Sequence, residues 1–579
     1  MHSIRQILLC CATIISANNS FISLAHAHKS DFTPQETLAL QGLSPFGMLL
    51  SSTPSGPTAL AQNIATTASI QNGNSSIPFL VPFSQQQQYS LQDFSQANAN
   101  AYNLANGLGT SLGNAYQNIT SYTSTNNGIT TTSTGFSTNL NNLIAYTYAI
   151  GDQDKSAAQY FFGDATYDGT TPVSTSVINQ VYGSNSSAFQ ANQYGSAYNT
   201  PPPANSVYGD SPNGNPKPFQ TFPNNNPSYN LTIYNGYNFW GVYGSNSSDY
   251  AAEHPPSFPS GHSTYANTEA LLLAILVPQR FQQMITRGAE YATERIIGGD
   301  HYAMDIAAGR TLSYYNVAQL MANNPAYLGT QQISNDNSVV GGASSVTISN
   351  YQSLVSSAQT DITSSLQSAC GASIAICSTH DTSRFPNLYS DKALYQSTLA
   401  YGLPVVWTNN INAINFQTFS SETYNAGYLL LTRFPYLTAA QRADIISSTQ
   451  YMPAAGGFLD NGSAFGYYYR IDLFSAAGGY GAFNDMTGDV SITMDSSLGG
   501  FNAFDIWSNN ISGTKGFTLN GNGIMKFTGA STYVGPTTVN GGAFLIDGSI
   551  VSNVTVNNGG LLGGHGSFGG GVINAGGVI

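Results

Sequence analysis

Charge is scarce in this 579-residue chain. Only 7% of the residues are Asp, Glu, Lys or Arg, whereas typical globular proteins contain about 25%. The few charges leave a formal net charge of -13, and the sequence contains no cluster of basic residues. Because binding to a nucleic-acid backbone needs clustered Lys and Arg, the composition argues against nucleic acid as a partner.

Long apolar segments are also missing beyond the N-terminus. The apolar run at 271–277 is far shorter than the about twenty residues that a membrane-spanning helix needs, so the sequence predicts no transmembrane helix. Residues 1–27 instead have the form of a signal peptide, with a basic residue, an apolar run and an A-x-A cleavage site at 25–27. We therefore expect an exported protein, located in the periplasm, at the cell surface or in the medium.

Cysteine is equally rare. Two of the four cysteines lie within the predicted signal peptide, so the mature chain keeps only Cys370 and Cys377. The intervening segment contains a glycine, and its length permits a small disulfide in an oxidising compartment. Two reduced thiols are the alternative, which export makes less favourable.

Two short clusters carry most of the chemical information. The first is Pro-Ser-Gly-His at 259–262, and the second is Arg-x5-His-x3-Asp at 295–305. The first cluster precedes an apolar stretch that predicts a helix over 265–277, which places Ser260 and Gly261 at a helix N-terminus, where free amides bind anions. Arg295 offers a bidentate fork for phosphate oxygens. The two clusters together therefore indicate a phosphate-binding site.

The histidines and carboxylates suggest how such a site reacts. His301 is four residues before Asp305, a spacing that places both side chains on one helical face. Asp305 would hold Nδ1 of His301 and leave Nε2 free to attack phosphorus, while His262 would protonate the leaving oxygen. Asp300 fits an N-cap for the helix that carries His301. The spacings do not match a zinc site, so the sequence predicts no metal and no cofactor.

Each cluster alone also fits an ordinary structural role, as a loop before a helix or a pair of residues on a helix surface. Together they resemble the signature of the type 2 phosphatidic acid phosphatase superfamily, which includes bacterial acid phosphatases and vanadium haloperoxidases. Two of the three parts of that signature are present in full. The third, Lys-x6-Arg-Pro, is matched imperfectly at 210–218, with Lys217 in the arginine position and Asp210 in the lysine position. The resemblance implies catalysis by His301, His262 and Asp305, and phosphate binding by Arg295, Ser260, Gly261 and Lys217.

The remaining sequence divides by composition. Residues 28–85 are polar with scattered Pro and Gly, which predicts a loosely structured leader. Residues 86–475 show helical spacing of apolar residues and predict a helical phosphatase-like domain, with a long loop insertion at 152–255. Residues 485–579 contain short alternating strands separated by Gly and Asn, which predict a parallel β-helix. The predicted fold class is thus α + β multidomain: an all-α phosphatase-type helical bundle followed by a C-terminal parallel β-helix segment.

The segment 528–542 resembles the passenger-associated repeat of autotransporter proteins. A passenger normally precedes an outer-membrane β-barrel, whose strands have about ten residues of alternating polarity. No such strands follow here. We therefore expect a truncated passenger, or outer-membrane attachment through a translocator missing from this chain.

Three functions fit these observations. The preferred one is a secreted acid phosphatase that hydrolyses small phosphomonoesters through a phosphohistidine. The second is a surface or adhesin-like passenger whose phosphatase module has decayed, since the third part of the signature is imperfect. The third is a vanadate-dependent haloperoxidase, because vanadate resembles the phosphoryl transition state.

Overall fold

A computed structural model gives the structure of the protein. It describes residues 33–50, 56–94, 102–119, 121–125, 128–132, 136–163, 218, 257–333, 345–379, 384–406, 420–451, 457–460, 464–484 and 488–579. Helices dominate up to residue 477, and strands dominate from residue 482 onward.

The first helices surround the front of the helical region. They are α1 (Pro34–Leu50), α2 (Gly56–Gln71), α3 (Phe83–Phe94), α4 (Thr110–Ile119) and α5 (Thr138–Gly163), with a short antiparallel pair, β1 (Ser121–Thr125) and β2 (Gly128–Thr132), between α4 and α5. The prediction of a loosely structured leader over 28–85 was therefore wrong. Apolar residues of α1 and α2 such as Leu43 and Leu60 are buried, and buried polar side chains make up the rest of their inner faces.

Three central helices carry the two sequence clusters. They are α6 (Gly261–Leu276), α7 (Phe281–Ile297) and α8 (Ala303–Met321). Every residue of α8 is buried, as is almost every residue of α6, so these helices form the centre of the helical core. The helix predicted over 265–277 is confirmed, and it starts one turn earlier than expected.

The helical region continues with shorter elements. An antiparallel pair, β3 (Gly329–Gln332) and β4 (Ser345–Ile348), leads into α9 (Tyr351–Cys370), α10 (Ile374–Thr379), α11 (Leu388–Ala400), α12 (Ser420–Gly427), α13 (Ala439–Ser448), α14 (Ala464–Tyr469) and α15 (Leu473–Ala477). A disulfide joins Cys370, the last residue of α9, to Cys377 in α10.

The C-terminal part is a parallel β-solenoid. Its elements are β5 (Ala482–Phe483), β6 (Val490–Met494), α16 (Gly500–Ala503), β7 (Phe504–Trp507), β8 (Ser512–Gly513), β9 (Phe517–Gly521), β10 (Ile524–Phe527), β11 (Ala530–Ser531), β12 (Thr537–Val539), β13 (Gly542–Ile546), β14 (Ser549–Ile550), β15 (Val554–Asn557), β16 (Gly560–Gly563), β17 (Ser567–Phe568) and β18 (Val572–Ala575). Strands from successive coils stack in three parallel sheets, in the orders β6-β9-β12-β15-β18, β7-β10-β13-β16 and β11-β14-β17.

Aromatic and aliphatic residues together fill the inside of the solenoid. Alternating burial along the strands turns every second side chain inward, and parallel register brings equivalent positions of successive coils together. Phe527 stacks on Trp507 with ring centres 5.3 Å apart, and Phe544 meets Phe527 edge-on at 4.8 Å. On the outside, Asn540 bonds Asn520 (2.9 Å), and Asn557 bonds Asn540 (2.7 Å).

A buried polar junction connects the two parts. Arg433 forms an ion pair with Asp505 of β7 (2.8 Å), and Tyr436 donates a hydrogen bond to the same carboxylate. Trp507 Nε1 in turn donates to the Tyr436 hydroxyl (3.0 Å). Asp505 is 1% exposed, so the helical region covers this face of β7.

The predicted fold class is confirmed: a helical region precedes a parallel β-solenoid, and the helical region also contains the two short antiparallel strand pairs. Within the part of the chain that the structure describes, no helix combines the length and apolar character needed to cross a membrane. The predicted signal peptide and most of the predicted insertion, including Lys217, lie outside the described residues.

Candidate active site

The Pro-Ser-Gly-His segment forms the start of α6. Ser260 is the N-cap residue, and its hydroxyl accepts a hydrogen bond from Ser263 N (3.0 Å), as N-cap serines commonly do. Ser260 N donates to the Asp305 carbonyl (3.1 Å). These bonds hold the first amides of α6, those of Gly261 and His262, beside the start of α8. Because such amides have no carbonyl one turn before them, they can bind an anion.

Close packing of α8 against this segment requires a glycine. A side chain at Gly309 would place its first carbon 2.7 Å from the Ser260 carbonyl oxygen and 2.8 Å from Ser263 Cβ. Backbone occupies one of those positions, so a larger residue would push the N-terminus of α6 away from α8. Gly309 therefore sets the distance between the two clusters.

Arg295 organises the loop between α7 and α8. Its carbonyl accepts hydrogen bonds from the amides of Asp300 (3.0 Å) and His301 (3.3 Å), and Gly299 turns the chain with φ 77, a conformation that favours glycine. The Arg295 side chain is fully buried in the last turn of α7, with Cζ 4.3 Å from the centre of the Tyr291 ring. The spacing between the arginine and the histidine thus follows from the backbone of this loop.

His301 lies in the loop and not on α8, because the helix begins at Ala303 with Tyr302 as its N-cap. The expectation that His301 and Asp305 share one helical face was therefore wrong. His301 Nδ1 lies 2.9 Å from the Ser257 carbonyl oxygen and 3.7 Å from Asp305 Oδ2. A carbonyl can only accept, so Nδ1 of His301 carries a proton, and in the neutral ring the lone pair is on Nε2.

Ser257 links Asp305 to His301, and no sequence pattern had indicated it. Its hydroxyl donates to Asp305 Oδ2 (2.5 Å) and lies 3.4 Å from His301 Nδ1. Asp305 also accepts a hydrogen bond from Tyr302 N (2.8 Å). Asp305 therefore orients His301 mainly by fixing Ser257 and the loop backbone, in place of the direct hydrogen bond that the sequence suggested.

Asp300 lies between the two histidines. Its Oδ2 is 3.1 Å from His262 Nδ1 and 3.3 Å from His301 Nε2, and the residue is 2% exposed. The prediction that Asp300 caps the helix was wrong, because Tyr302 occupies that position. Asp300 instead belongs to the site, where it can accept the Nδ1 proton of His262 and direct Nε2 of that ring outward.

His262 is the more open of the two histidines, with 41% of its side chain exposed, and its ring centre lies 5.9 Å from that of His301. Burial of the ring lowers the pKa of His262 to about 4, and the neighbouring Arg295 and His301 act in the same direction, whereas Asp300 raises it. Since part of the ring stays in contact with water, solvent screens some of this shift. A negative charge placed beside the ring would raise the pKa again.

Lys155 of α5 is a cation that the sequence analysis missed. A side chain at Gly261 would place its first carbon 3.3 Å from Lys155 Cδ, so the lysine stem packs directly over the start of α6. Its Nζ pairs with Asp152 (3.0 Å). One turn further along α5, Gln159 donates to the Pro259 carbonyl (3.0 Å). This face of α5 thus lies against the Pro-Ser-Gly-His segment.

These missed residues share one property, which is that their partners are distant in sequence or hidden in backbone geometry. Lys155 lies more than one hundred positions before Gly261. No sequence motif includes both residues. The low number of basic residues could have indicated Lys155. The chain has only 15 Lys and Arg, so each of them is a candidate for a specific role. Asp300 was noticed, but the helix start was placed two residues too early.

The structure therefore brings together six of the seven predicted site residues, namely His301, His262, Asp305, Arg295, Ser260 and Gly261. Lys217 lies outside the described residues, and its role stays a prediction. Within the described parts of the chain, the group of side chains arranged to hold a metal ion is His262, Asp300 and His301, whose ligand atoms all lie within 4.8 Å of one another.

This arrangement coincides with a family match. Residues 210–325 match the PAP2 superfamily, so the chain contains a PAP2 superfamily domain that includes both clusters. Its relatives include a non-specific acid phosphatase of Salmonella typhi, 39% identical over 64 residues that cover 11% of this chain and 26% of the relative. An acid phosphatase of Zymomonas mobilis subsp. mobilis is 38% identical over 64 residues, covering 11% and 24%. A non-specific acid phosphatase of Providencia stuartii is 34% identical over 67 residues, covering 12% and 27%.

The chain thus spans about a quarter of the length of these curated relatives. The match supports a phosphatase-type function and a small-molecule substrate.

Proposed function

We propose that the helical region hydrolyses small phosphomonoesters through a phosphohistidine at His301. The observation that carries this proposal is the contact between His301 Nδ1 and the Ser257 carbonyl oxygen. The carbonyl accepts a hydrogen bond from Nδ1–H at 2.9 Å, so Nε2 faces the space shared with His262 and Asp300. An imidazole held in this way by one nitrogen presents the other as an oriented nucleophile when the ring is neutral.

The phosphoryl group would be held by positive charge and amides. Arg295 supplies a buried guanidinium, which matches phosphate oxygens bidentately, and the first amides of α6 supply donors. Lys155 adds a second positive charge over Gly261, and this charge can compensate for the signature lysine, whose position Asp210 occupies in this chain. Such fixed donors stabilise the charge on the equatorial phosphoryl oxygens in the transition state of phosphoryl transfer.

The reaction would proceed in two steps. His301 Nε2 donates its electron pair to phosphorus, the bond between phosphorus and the ester oxygen breaks, and His262 passes a proton to the leaving oxygen. Water then attacks the phosphohistidine, His262 accepts a proton from it, and the bond from phosphorus to Nε2 breaks to release phosphate. A phosphate dianion beside His262 favours the imidazolium form, so substrate binding itself prepares the acid.

Hydrolysis of a chromogenic phosphomonoester at pH 5 to 7 tests the proposal. We expect turnover by the full chain and a loss of at least about 10³-fold in kcat/KM for His301→Ala, because the nucleophile is removed. His565→Ala is the matched control, since this histidine lies on the solenoid surface with 97% of its side chain exposed, and we expect it to keep wild-type rates.

The outcomes separate the hypotheses. No turnover by the wild type would favour the decayed module over the phosphatase. Turnover that persists in His301→Ala would leave a phosphatase but remove His301 as nucleophile. Quenching with alkaline denaturant during turnover should trap a label from the substrate phosphate on His301, in a form that is stable to alkali and is lost on acid treatment.

A further inference from the structure

Two imidazole nitrogens and one carboxylate oxygen converge in the pocket. His262 Nδ1 and His301 Nε2 lie 3.1 Å and 3.3 Å from the same oxygen, Asp300 Oδ2. In a tetrahedral zinc site with bonds of about 2.0–2.1 Å, neighbouring ligand atoms are separated by roughly 3.3 Å. These two separations therefore match those of ligands around a zinc ion, and all three ligand atoms lie within 4.8 Å of one another.

The surroundings of His301 also have the form of a metal site. A histidine that binds a metal through one nitrogen usually donates the other N–H to a carbonyl or a carboxylate, which fixes its tautomer. His301 does this through Nδ1, which bonds the Ser257 carbonyl at 2.9 Å, while Ser257 Oγ bonds Asp305. The same lone pair on Nε2 that would attack phosphorus is thus available to a cation.

The burial of the three side chains also suits a metal site. Asp300 and His301 are 2% and 1% exposed, so their positions are fixed by packing. His262 keeps 41% of its side chain exposed and leaves a route from solvent. Two imidazoles and one carboxylate form a donor set that suits zinc and related transition metals better than magnesium or calcium, which prefer oxygen ligands.

We propose that His262, Asp300 and His301 bind one divalent transition-metal ion of the zinc class, and that this ion inhibits the phosphatase by occupying Nε2 of His301. The inhibitory part of the proposal rests on the function proposed above. Three protein ligands leave a fourth position, which a water molecule or a phosphate oxygen would fill. Metal binding and phosphoryl transfer to His301 are mutually exclusive, because both use one electron pair.

Titration of the metal-free full chain with Co²⁺ tests the site directly, since four-coordinate Co²⁺ gives a strong visible absorption that Zn²⁺ abolishes on displacement. We expect one equivalent of Co²⁺ per chain. Asp300→Asn should weaken binding at least about tenfold, and His262→Gln should do the same. His565→Gln is the matched control: its Nδ1 also lies near a carboxylate, Asp547 Oδ1, at 3.4 Å, but the described residues place no third ligand there.

Folding of each variant is checked by circular dichroism. His262 is partly exposed, so we expect His262→Gln to disturb the packing less than Asp300→Asn. Failure of the wild type to bind stoichiometric Co²⁺ or Zn²⁺ would overturn the proposal. So would equal affinities for Asp300→Asn and His565→Gln, because the ion would then lie elsewhere.

Activity measurements separate this proposal from the proposed function. We expect Zn²⁺ to inhibit hydrolysis with the affinity measured for binding, and Asp300→Asn to be less sensitive. If the protein binds one metal ion but hydrolyses no phosphomonoester, the metal site is supported and the phosphatase function is refuted. If the protein is active but Zn²⁺ neither binds to it nor inhibits it, the phosphatase function is supported and the metal site is refuted.

Discussion

The helical region and the solenoid use polar residues in opposite ways. In the helical region, charged side chains such as Arg295, Asp300 and Asp305 are buried at the centre, where each needs a partner because desolvation is costly. In the solenoid, aromatic and aliphatic side chains fill the interior, and polar side chains such as Asn540 form ladders on the outside. Chemistry is therefore expected inside the helices, whereas the solenoid obtains its stability from stacking equivalent coils.

The largest expected effect separates stability from activity. Phe544→Ala removes a buried ring that contacts Phe527 and Phe517 at 4.8 Å and 5.3 Å between ring centres, and should destabilise the solenoid by about 3–5 kcal/mol. Denaturation should show an earlier transition when it is followed by the fluorescence of Trp507, which stacks on Phe527, in a background where Trp240 and Trp407 are replaced by Phe. The value of kcat/KM at low denaturant should stay at that of the same background.

The control for this comparison is Phe504→Ala on β7, where the side chain is 42% exposed. We expect little change in either measurement. If Phe544→Ala lost activity in step with the solenoid transition, the two parts would form one cooperative unit and the contrast between them would be wrong.

A smaller effect is expected for Lys155. Lys155→Met keeps the stem that packs over Gly261 but removes the charge, so kcat/KM should fall about tenfold and inorganic phosphate should inhibit more weakly, as expected when one charge-assisted contact is lost. Lys155→Arg should restore most of the activity. Lys526→Met, which removes the partner of Asp547 on the solenoid, should leave both values unchanged. A change in melting temperature without a change in phosphate inhibition would assign Lys155 a structural role only.

The smallest expected effect is the change in melting temperature on replacing a buried carboxylic acid, Asp154. Burial raises the pKa of Asp154 in α5 to about 8, so the folded state holds a proton that the unfolded state releases near the ordinary value of 3.8. The contribution of Asp154 to the free energy of unfolding is therefore fully present below about pH 4 and is lost as the pH rises toward 8. Asp154→Asn should raise the melting temperature at pH 8 by on the order of 1 °C or more, with a smaller gain at pH 5.

The solenoid provides the opposite case. Lys526 is the first of the groups that lower the pKa of Asp547 to about 2, so the charged form of this exposed carboxylate is the favourable one above pH 4. Asp547→Asn should therefore give no gain at pH 8. Scans of both variants at the two pH values check the difference, and equal pH dependence would contradict it.

Much of the fold could be predicted because the relevant patterns are local. Apolar spacing predicted α6 and α7, and short alternating runs such as 524–527 and 543–546 predicted the strands of the solenoid. The helices α1 and α2 were missed because part of their burial is polar. Gln35 bonds Asp154 (2.8 Å), and Thr67 Oγ1 accepts from Ala303 N (3.0 Å), contacts that no hydrophobic pattern reveals.

The site was predictable in part for the same reason. Both clusters were visible as motifs, and their residues meet in the structure. What could not be predicted is how the loop between α7 and α8 is built, because the carbonyl of Arg295 and the turn at Gly299 decide where α8 begins. A shift of two residues in that start moved Asp300 from a cap to a position between the histidines.

The junction at Asp505 has a consequence for the order in which the protein can fold. Arg433 and Tyr436 belong to the helical region, which precedes β7 in the chain, so they can be in place before β7 packs. The carboxylate of Asp505 then meets a partner that is already positioned, and Trp507 meets an acceptor. The helical region can in this way serve as a template for the first coil, and each later coil pairs in parallel register with the one before it.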